Sequence, residues 1–458
     1  MTEAATWAAP AARGPVDATV RVPGSKSLTN RWLVLAALAE GPFTLRHALR
    51  SRDTEHMADA LRTLGAQVDT SRDDAWHVVP AGRDPQGRPT LHGEVTVDCG
   101  QAGTVMRFVP PLAALSHGPV RFEGHESALV RPVGPVLQAL RDLGVHVEDE
   151  GRGTLPFTVH GGSAGHGAGS TVRLDASASS QFVSALLLAG AALPHGVTVE
   201  HTGGRLPSLP HIAMTLDVLA AVGVRVDQPS PTSWVVHPGP VAALDVTVEP
   251  DLSSAAPFLA LAAVTGGTVR VPDWPDGTTQ PGRRMREVLV AFGARTELVD
   301  GTLVARGRDD GSLSGVDLDL GEVGELTPVV AALAALADGP SRLRGIGHLR
   351  GHETDRLAAL VTEVRRLGAG AEEIDDGLLL RPGPLRPATL ATYHDHRMAM
   401  FAAVVGSRVH GTRVRDVSTA AKTFPGFHEV WETAVATSRG APGTAVADAV
   451  PSTTGATR

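Results

Sequence analysis

Several residue types are rare in this sequence, and each shortage excludes a class of protein. The 458 residues include one cysteine, Cys99, one tyrosine and only 4% aromatic side chains. A single cysteine excludes an intramolecular disulfide and any metal site built from several thiolates. No stretch reaches the roughly 20 consecutive apolar residues of a membrane span. The first 14 residues also lack the basic and apolar regions of a signal peptide. We therefore expect a cytoplasmic protein without a membrane segment.

Positive charge is also scarce. The chain has 41 Lys+Arg against 49 Asp+Glu, a net charge of -8, so it lacks the overall basic field that attracts nucleic acids or membrane surfaces. An anionic ligand must therefore be bound by local clusters. Only two of the basic residues are lysines, Lys26 and Lys422. Lysines retained in an arginine-rich chain mark candidate sites that need a compact ammonium group.

One pattern, an apolar helix-like run followed by glycine and a short β-like run, occurs six times at intervals of about 70 to 76 residues. In most copies a second, amphipathic helix follows and ends at a glycine. The pattern predicts six βαβαββ units in which the first helix is buried and the second is half exposed. A solenoid is the alternative, but the long unit with two unlike helices matches no common short repeat. We favour two α/β domains of three units each, with helices inside and sheets outside.

Polar residues concentrate where the buried helices begin, and the free N–H groups of a helix N-terminus favour anions. The first start, GSKSLTNR, combines Lys26, Ser27 and Arg31. An ordinary serine cap beside a solvated lysine is the alternative reading. The sixth, HDHRMAM, crowds two histidines, an aspartate and Arg397; metal binding is an alternative there, but the guanidinium favours an anion. The starts together indicate a site for two anionic substrates that runs acid–base chemistry without a metal.

Seven motifs occur in one order between about residues 20 and 430: GSKSLTNR, GQAGTVMRF, RPVGPV, SSQF, HETDR, DHRMAM and AKTFPGF. In order and spacing they resemble the 3-phosphoshikimate 1-carboxyvinyltransferase (EPSP synthase) family of aromatic amino-acid biosynthesis. The resemblance implies an α/β fold, the two-domain inside-out α/β barrel of enolpyruvyl transferases. It places one domain at residues 22–245 and the other at 1–21 and 246–436. Composition predicts a disordered tail at 437–458 and disorder in the first dozen residues.

The resemblance also implies an activity, transfer of the enolpyruvyl (carboxyvinyl) group of phosphoenolpyruvate to the 5-hydroxyl of shikimate 3-phosphate with release of phosphate. It implies a monomer that needs no cofactor and no metal, and a glyphosate target. The residues implied to be catalytic are Lys26, Glu325 and Glu353. Those implied to bind shikimate 3-phosphate are Lys26, Ser27, Arg31, Ser179, Ser180, Gln181, Ser208, Glu325 and His352. Those implied to bind phosphoenolpyruvate are Lys26, Gly103, Arg131, Gln181, Arg356, Arg397 and Lys422.

Some positions depart from the commonest pattern of that family. Glu325 stands where an aspartate is usual, and His352 where a lysine is usual. Because His352 is only partly charged near neutral pH, we expect shikimate-phosphate binding to weaken as pH rises through its titration. The other departures are Gln101, His211 and His348, which replace asparagine, tyrosine and asparagine.

Two alternatives remain at this stage. One is the sister enolpyruvyl transferase that acts on UDP-N-acetylglucosamine, although Ser27 rather than asparagine follows Lys26 and Cys99 precedes the GQAGT turn instead of lying in a mobile loop. The other is a repeat protein that only binds partners, although acidic, basic and hydroxyl groups occur at every helix start.

Overall fold

Strands and helices alternate along the chain as the repeats predict. The computed structural model describes residues 5–85, 87–162 and 170–439, together with the backbone of residues 446–447. The strands are β1 Thr6–Ala8, β2 Asp17–Val20, β3 Phe43–Arg46, β4 Gln67–Asp69, β5 Ala75–Val79, β6 Val95–Asp98, β7 Pro119–Glu123, β8 His146–Glu148, β9 Phe157–His160, β10 Thr171–Leu174, β11 Val197–His201, β12 Val226–Ser230, β13 Ser233–Val236, β14 Asp245–Thr247, β15 Thr268–Val271, β16 Arg295–Val299, β17 Thr302–Arg306, β18 Asp317–Asp319, β19 Ser341–Arg344, β20 Gly370–Ile374, β21 Gly377–Arg381, β22 Thr389–Ala391, β23 Arg413–Arg415 and β24 Val446–Ala447.

The helices follow the two kinds that the sequence predicts. They are α1 Lys26–Leu38, α2 Arg52–Thr63, α3 Gly103–Ala113, α4 Gly134–Asp142, α5 Gln181–Gly190, α6 Leu209–Ala221, α7 Leu252–Thr265, α8 Met285–Ala291, α9 Thr327–Ala335, α10 Arg356–Leu367, α11 His396–Gly406 and α12 Phe427–Ala436. Every residue of α3, α7, α9 and α11 is buried, whereas α2, α4 and α8 each bury one face. No helix among the described residues is long and apolar enough to cross a membrane.

The chain divides into two compact units. The inserted unit is Gly24–Val248, and the discontinuous unit combines Met1–Pro23 with Glu249–Arg458. Each unit has its own hydrophobic core, formed by residues from Leu28 to Val248 in the inserted unit and by residues on both sides of that segment in the discontinuous unit.

The inserted unit contains three four-stranded sheets. Their strand orders are β14-β3-β5-β4, β6-β7-β9-β8 and β10-β11-β13-β12. In each sheet the first two strands are parallel and the other pairs are antiparallel. The discontinuous unit has three sheets of unequal size, with the orders β16-β17-β15-β2-β24, β18-β19-β21-β20 and β1-β23-β22.

Two strands join a sheet that the repeat pattern does not indicate. β2 precedes α1 in the sequence, yet it pairs in parallel with β15 of the discontinuous unit. β14 precedes α7, yet it pairs in parallel with β3 of the inserted unit. The discontinuous unit therefore includes β2, which lies before the first repeat of the inserted unit. The inserted unit includes β14, which lies before the first repeat of the discontinuous unit.

The two chain ends differ from the prediction in part. β1, within the first dozen residues, pairs with β23, so the expectation of disorder is wrong at residues 6–8. At the other end, Thr437–Arg439 form a 3-10 turn and β24 pairs with β2. The rest of the predicted tail lies outside the described residues.

Candidate active site

The start of α1 carries the first candidate residues of the inserted unit. Ser25 is the N-cap, and its Oγ accepts a hydrogen bond from the Leu28 N–H at 3.5 Å. Lys26 and Ser27 follow at half-buried positions. The Lys26 Nζ lies 3.3 Å from Oδ2 of Asp53, whose side chain is buried. Lys26 is therefore paired with a buried carboxylate, and is not the solvated lysine of the ordinary-cap alternative.

Arg31 lies beneath this helix start and is 1% exposed. Its Nη1 donates to the carbonyl of Ser27 at 2.9 Å, one turn earlier in α1. Its Nε donates to Oγ1 of Thr215 at 2.8 Å, and its Nη2 donates to the carbonyl of His211 at 2.9 Å, both in α6. The guanidinium also lies 5.3 Å from the centre of the Phe108 ring in α3. Arg31 thus ties the first turn of α1 to two neighbouring helices.

The start of α3 combines a glycine with an arginine. No side chain caps this helix, so its first N–H groups lack a side-chain acceptor. A Cβ at Gly103 would lie 2.5 Å from Nη2 of Arg131, whose Nη1 donates to the Gln101 carbonyl at 3.0 Å. The Arg131 Nε is buried without a hydrogen-bond partner. Since no carboxylate of the described residues pairs with Arg131, this cation at a helix N-terminus forms an arrangement suited to an anion.

Two serines and a glutamine lie where α5 begins. The Ser179 Oγ accepts from the Gln181 N–H at 3.3 Å, while Ser180, the N-cap residue, makes no side-chain cap hydrogen bond. The Gln181 Oε1 accepts from Nη1 of Arg107 at 2.8 Å, and Arg107 lies 5.1 Å from the centre of the Phe182 ring. Because a guanidinium can only donate, this contact leaves the amide nitrogen of Gln181 as the group to present to a ligand.

Ser208 begins α6 in a left-handed conformation, with φ at 52°. Its side chain makes no cap hydrogen bond. A left-handed conformation costs a non-glycine residue about 1–2 kcal/mol, and such costs concentrate at functional sites. The backbone therefore marks Ser208 independently of its sequence motif.

Four charged side chains form a buried network in the discontinuous unit. Arg356, the first residue of α10, donates from Nε to Oδ2 of Asp395 at 2.7 Å and from Nη2 to Oε2 of Glu353 at 2.9 Å. The other oxygen of Glu353 accepts from the Lys422 Nζ at 2.9 Å. Burial alone would lower the pKa of Arg356, but the charges of Asp395 and Glu353 outweigh it and raise that pKa. The structure thus brings together three of the predicted site residues, Glu353, Arg356 and Lys422.

Arg397 and Glu325 meet at the start of α7. Asp395 is the N-cap of α11, and its Oδ1 accepts from the Arg397 N–H at 2.8 Å. The Arg397 Nη1 donates to the Ser253 carbonyl at 2.9 Å, and its Nη2 lies 4.0 Å from Oε2 of Glu325. The Ser253 hydroxyl donates to the other oxygen of Glu325. Glu325 itself lies in a 3-10 turn, Gly324–Leu326, which directly precedes α9.

The turn before Asp395 contains two successive left-handed residues, Tyr393 at φ 55° and His394 at φ 57°. The Tyr393 hydroxyl donates to Oε1 of Glu363 in α10 at 2.7 Å. Burial and this hydrogen bond raise the pKa of Tyr393 to about 12. The turn that presents Asp395 is thus fastened to the helix whose first residue, Arg356, pairs with Asp395.

His352 lies just after a 3-10 helix, Gly347–Gly351, and before α10. Its Nδ1 lies 3.2 Å from Nη1 of Arg356. The same Nδ1 lies 4.0 Å from Oε2 of Glu353, so this nitrogen of His352 faces both a guanidinium and a carboxylate. The HETDR motif is therefore not an exposed ion-paired helix surface, since Glu353 and Arg356 make buried contacts before and at the first turn of α10.

The two histidines of the HDHRMAM motif differ in their exposure. The side chain of His394 is 85% exposed, whereas that of His396 is 4% exposed. Over the described ranges, neither imidazole joins a group of three side chains that could hold a metal ion.

Sequence reasoning did not identify four residues that contact the predicted ones: Asp53, Arg107, Ser253 and Asp395. Asp395 and Arg107 lie within the motifs DHRMAM and GQAGTVMRF, and the position of Asp395 before a buried helix was the available signal. The pairings of Asp53 with Lys26 and of Arg107 with Gln181 span 27 and 74 residues, and no local pattern indicates them.

Comparison with known proteins adds independent information. A family sequence model described as EPSP synthase (3-phosphoshikimate 1-carboxyvinyltransferase) matches residues 10–431. A Kocuria rhizophila protein named 3-phosphoshikimate 1-carboxyvinyltransferase is 55% identical over 428 residues, which cover 93% of this chain and 95% of that protein. A Mycobacterium ulcerans protein of the same name is 51% identical over 446 residues, 96% of this chain and 100% of its own length.

Solved structures share the fold. The structure of EPSP synthase from Acinetobacter baumannii matches with a TM-score of 0.76 at 23% identity, covering 94% of this chain and 98% of that one. The enolpyruvyl transferase NikO from Streptomyces tendae matches with a TM-score of 0.71 at 19% identity, covering 93% and 95%. At these identities the structures establish a common architecture only.

Proposed function

The chain belongs to the EPSP synthase family, and we propose that the helix starts described above form its substrate-binding and catalytic groups. The predicted fold and activity are confirmed by these comparisons: the protein is a transferase, a 3-phosphoshikimate 1-carboxyvinyltransferase of the shikimate pathway of aromatic amino-acid biosynthesis. Its substrates are phosphoenolpyruvate and shikimate 3-phosphate. The names of the relatives disfavour the UDP-N-acetylglucosamine and non-catalytic alternatives.

The steps of the reaction determine which groups the active site needs. The 5-hydroxyl oxygen of shikimate 3-phosphate bonds to C2 of phosphoenolpyruvate and loses its proton, while the methylene carbon gains a proton and becomes a methyl group. The tetrahedral intermediate then loses a proton from that methyl group and phosphate from C2, which restores the double bond. Three proton transfers and two anionic substrates require positioned acid–base groups among cations.

A single observation carries the assignment of phosphoenolpyruvate binding. Arg131 is a cation with a buried, unpartnered Nε, directed at the uncapped start of α3 against Gly103. A carboxylate or phosphate would satisfy both the guanidinium and the helix N-terminus. The family resemblance adds Lys26, Gln181, Arg356, Arg397 and Lys422 to the residues proposed to bind phosphoenolpyruvate.

Hydroxyl groups and the α1 start supply the proposed contacts with shikimate 3-phosphate. Ser27, Ser180 and Ser208 are at helix starts and make no side-chain cap hydrogen bond there, and Ser179 and Gln181 adjoin them. Arg31 already donates to groups of α1 and α6, so its role includes holding the α1 start in place.

Lys26, Glu325 and Glu353 are the proposed catalytic groups. Glu325 accepts from Ser253 and lies near Arg397, so it is held as a carboxylate suited to take the 5-hydroxyl proton. Glu353 accepts from Lys422 and Arg356, one on each oxygen. With one cation on each oxygen, Glu353 is suited to accept the proton that the methyl group of the intermediate loses, and the ammonium of Lys26 is suited to donate the proton that the methylene carbon gains.

The contact of His352 with Arg356 bears on the expected pH dependence. The His352 Nδ1 lies 3.2 Å from Nη1 of Arg356 and 4.0 Å from Oε2 of Glu353, so an imidazolium at this position would face one cation and one carboxylate. We propose that His352 contacts shikimate 3-phosphate and that this binding weakens as pH rises through the titration of the imidazole.

The active species is proposed to be a single cytoplasmic chain. The one cysteine, Cys99, is buried and unpaired, which suits a reducing compartment. Light scattering during size exclusion, together with activity that is independent of protein concentration, tests the monomer; a dimer mass would overturn it.

The residue assignments are tested by phosphate release from phosphoenolpyruvate with purified protein and either shikimate 3-phosphate or UDP-N-acetylglucosamine. We expect release with shikimate 3-phosphate only, and its loss in Lys26→Ala, Arg131→Ala and Arg397→Ala. The matched control is Arg306→Ala, an exposed arginine at the end of β17. Circular dichroism and thermal unfolding verify that each variant is folded.

The kinetics of the Arg131→Ala variant test the role of this residue separately from the activity of the protein. Full activity in a folded Arg131→Ala variant would overturn the assignment of the α3 start. A rise in KM for phosphoenolpyruvate without a matching rise for shikimate 3-phosphate would support it.

A further inference from the structure

A second polar cluster lies on the solvent-facing side of the sheet β6-β7-β9-β8. His146 and Glu148 are two residues apart on β8, so their side chains leave the same face of the sheet. His160 on β9 is the register partner of His146. Across the described ranges, this is the one group of three or more His, Cys, Asp or Glu side chains whose ligand atoms all lie within 4.8 Å of one another.

The ligand atoms of this cluster surround one carboxylate oxygen. Nε2 of His160 lies 3.1 Å from Oε1 of Glu148, and Nε2 of His146 lies 3.9 Å from the same oxygen. The two imidazole rings are 4.5 Å apart between their centres. Donors bound to tetrahedral zinc at about 2.0–2.1 Å lie about 3.3 Å from one another. The observed separations of 3.1 Å and 3.9 Å lie on either side of this value.

Neighbouring cations are engaged elsewhere. Arg121, on the adjoining strand β7, lies opposite Thr158 and 3.7 Å from Glu123. Arg152, in the loop after β8, pairs with Glu150. Among the residues that the structure describes, Glu148 lies within 4.0 Å of the two imidazoles and of no guanidinium.

We propose that His146, Glu148 and His160 bind a zinc(II) ion, or a divalent transition metal ion of the same preferences, with water as the fourth ligand. Two imidazoles and one carboxylate are a ligand set that zinc favours, and three protein ligands leave one position open. β8 is the edge strand of its sheet, and two of the ligands belong to it. The bound ion would cross-link the edge strand β8 to its neighbour β9. None of the three residues belongs to the proposed substrate site, so this inference does not depend on that assignment.

The test uses full-length, tag-free protein stripped of metal with a chelator. Zinc(II) is titrated calorimetrically, and cobalt(II) is titrated by its visible absorption, which distinguishes tetrahedral from octahedral binding. The variants are His146→Gln, Glu148→Gln and His160→Gln. The matched control is His237→Gln, which removes a histidine bound at 2.7 Å to one carboxylate, Asp227, without a third ligand.

The expected result is one zinc equivalent for the wild type, with affinity at least about tenfold weaker in each of the three variants and unchanged in His237→Gln. A tetrahedral cobalt spectrum that disappears in His160→Gln supports the same ligand set. Because the three side chains are partly exposed, the variants should fold, and unchanged thermal unfolding without metal verifies this. Equal affinity in wild type and all three variants, or no binding at 100-fold excess of zinc, would overturn the proposal.

Discussion

Gly103 leaves space for the Arg131 guanidinium, and a side chain there would take that space. The added methyl group of Gly103→Ala would lie 2.5 Å from Nη2 of Arg131, so the guanidinium must shift. We expect KM for phosphoenolpyruvate to rise at least about tenfold, equivalent to about 1.4 kcal/mol. KM for shikimate 3-phosphate should change far less.

The control for this substitution is Gly41→Ala in the same unit, where the new methyl group meets nothing closer than 3.6 Å. Steady-state kinetics with each substrate varied in turn measure both constants. Equal increases in both KM values would contradict a specific effect through Arg131.

Tyr393 is the one tyrosine of the chain, so tyrosinate absorbance reports on it alone. Burial and the bond to Glu363 raise its pKa to about 12, against about 10 in an unfolded chain. A folded pKa above the unfolded one means that the contribution to stability is complete below pH 10 and is lost as pH rises through about 12.

Absorbance read immediately after a jump in pH gives the native titration, and the same measurement in denaturant gives the unfolded one. We expect midpoints near 12 and near 10, and no titration in Tyr393→Phe. A native midpoint near 10 would show that the Glu363 hydrogen bond is absent in solution.

At the residue scale, the sequence predicts the cations better than their partners. Lys26 and Arg397 belong to motifs at helix starts, where the preference of free N–H groups for anions makes them recognisable. Asp53, the partner of Lys26, is 27 positions away in α2, and only the packing of α2 against α1 brings the two together. Charges that neutralise a buried cation are set by the fold, so sequence patterns do not indicate them.

At the scale of elements, Arg31 joins α1 to α6. Arg31→Met would remove three donors and leave the carbonyls of Ser27 and His211 without this partner in a buried region. The His211 carbonyl still accepts from the Thr215 hydroxyl, so the loss is that of hydrogen bonds from a charged donor, each worth about 1.5–3 kcal/mol. We expect the free energy of unfolding of the inserted unit to fall by at least about 2 kcal/mol.

Urea unfolding followed by circular dichroism measures this change. Arg121→Met is the comparison, because that arginine is 55% exposed and its ion pair at 3.7 Å should contribute less than about 1 kcal/mol. Similar losses in both variants would show that Arg31 is not a special link between the helices.

Helices were predictable at this scale, and the partners of strands were not. The apolar first helix of each unit and the glycine that follows it make the repeat recognisable in the sequence. In the structure these helices are buried, as predicted. Nothing in β2 or β14 indicates which sheet it joins, since a parallel pair depends on where the chain travels between its strands. The sheet that each of these two strands joins is therefore set by how the chain passes between the two units in sequence, and not by the residues of the strand.

At the scale of the whole molecule, the inserted unit should fold alone. Its core lies entirely between Leu28 and Val248, and all twelve strands of its three sheets lie within residues 24–248. We expect a fragment of residues 24–248 to unfold cooperatively in urea.

A fragment of residues 24–244 is the matched comparison. It lacks β14, which pairs with β3, and it lacks Val248, which is fully buried. It should unfold at a lower urea concentration. Equal midpoints, or a fragment 24–248 that unfolds without cooperativity, would contradict an independent core.

The pairing of β2 with β15 also sets an order of events on the ribosome. Thr19 pairs with Arg270, which is made about 250 residues later, and at about 5–20 residues per second this takes about 13–50 s. β1 remains unpaired for longer than β2, because its partner strand β23 begins only at Arg413. During this interval the inserted unit can complete its sheets while β1 and β2 remain unpaired edges. A nascent chain that stalls before β15 therefore carries a folded inserted unit together with unpaired strands β1 and β2. Such exposed strand edges can pair with other chains, so chaperones are expected to bind them during synthesis.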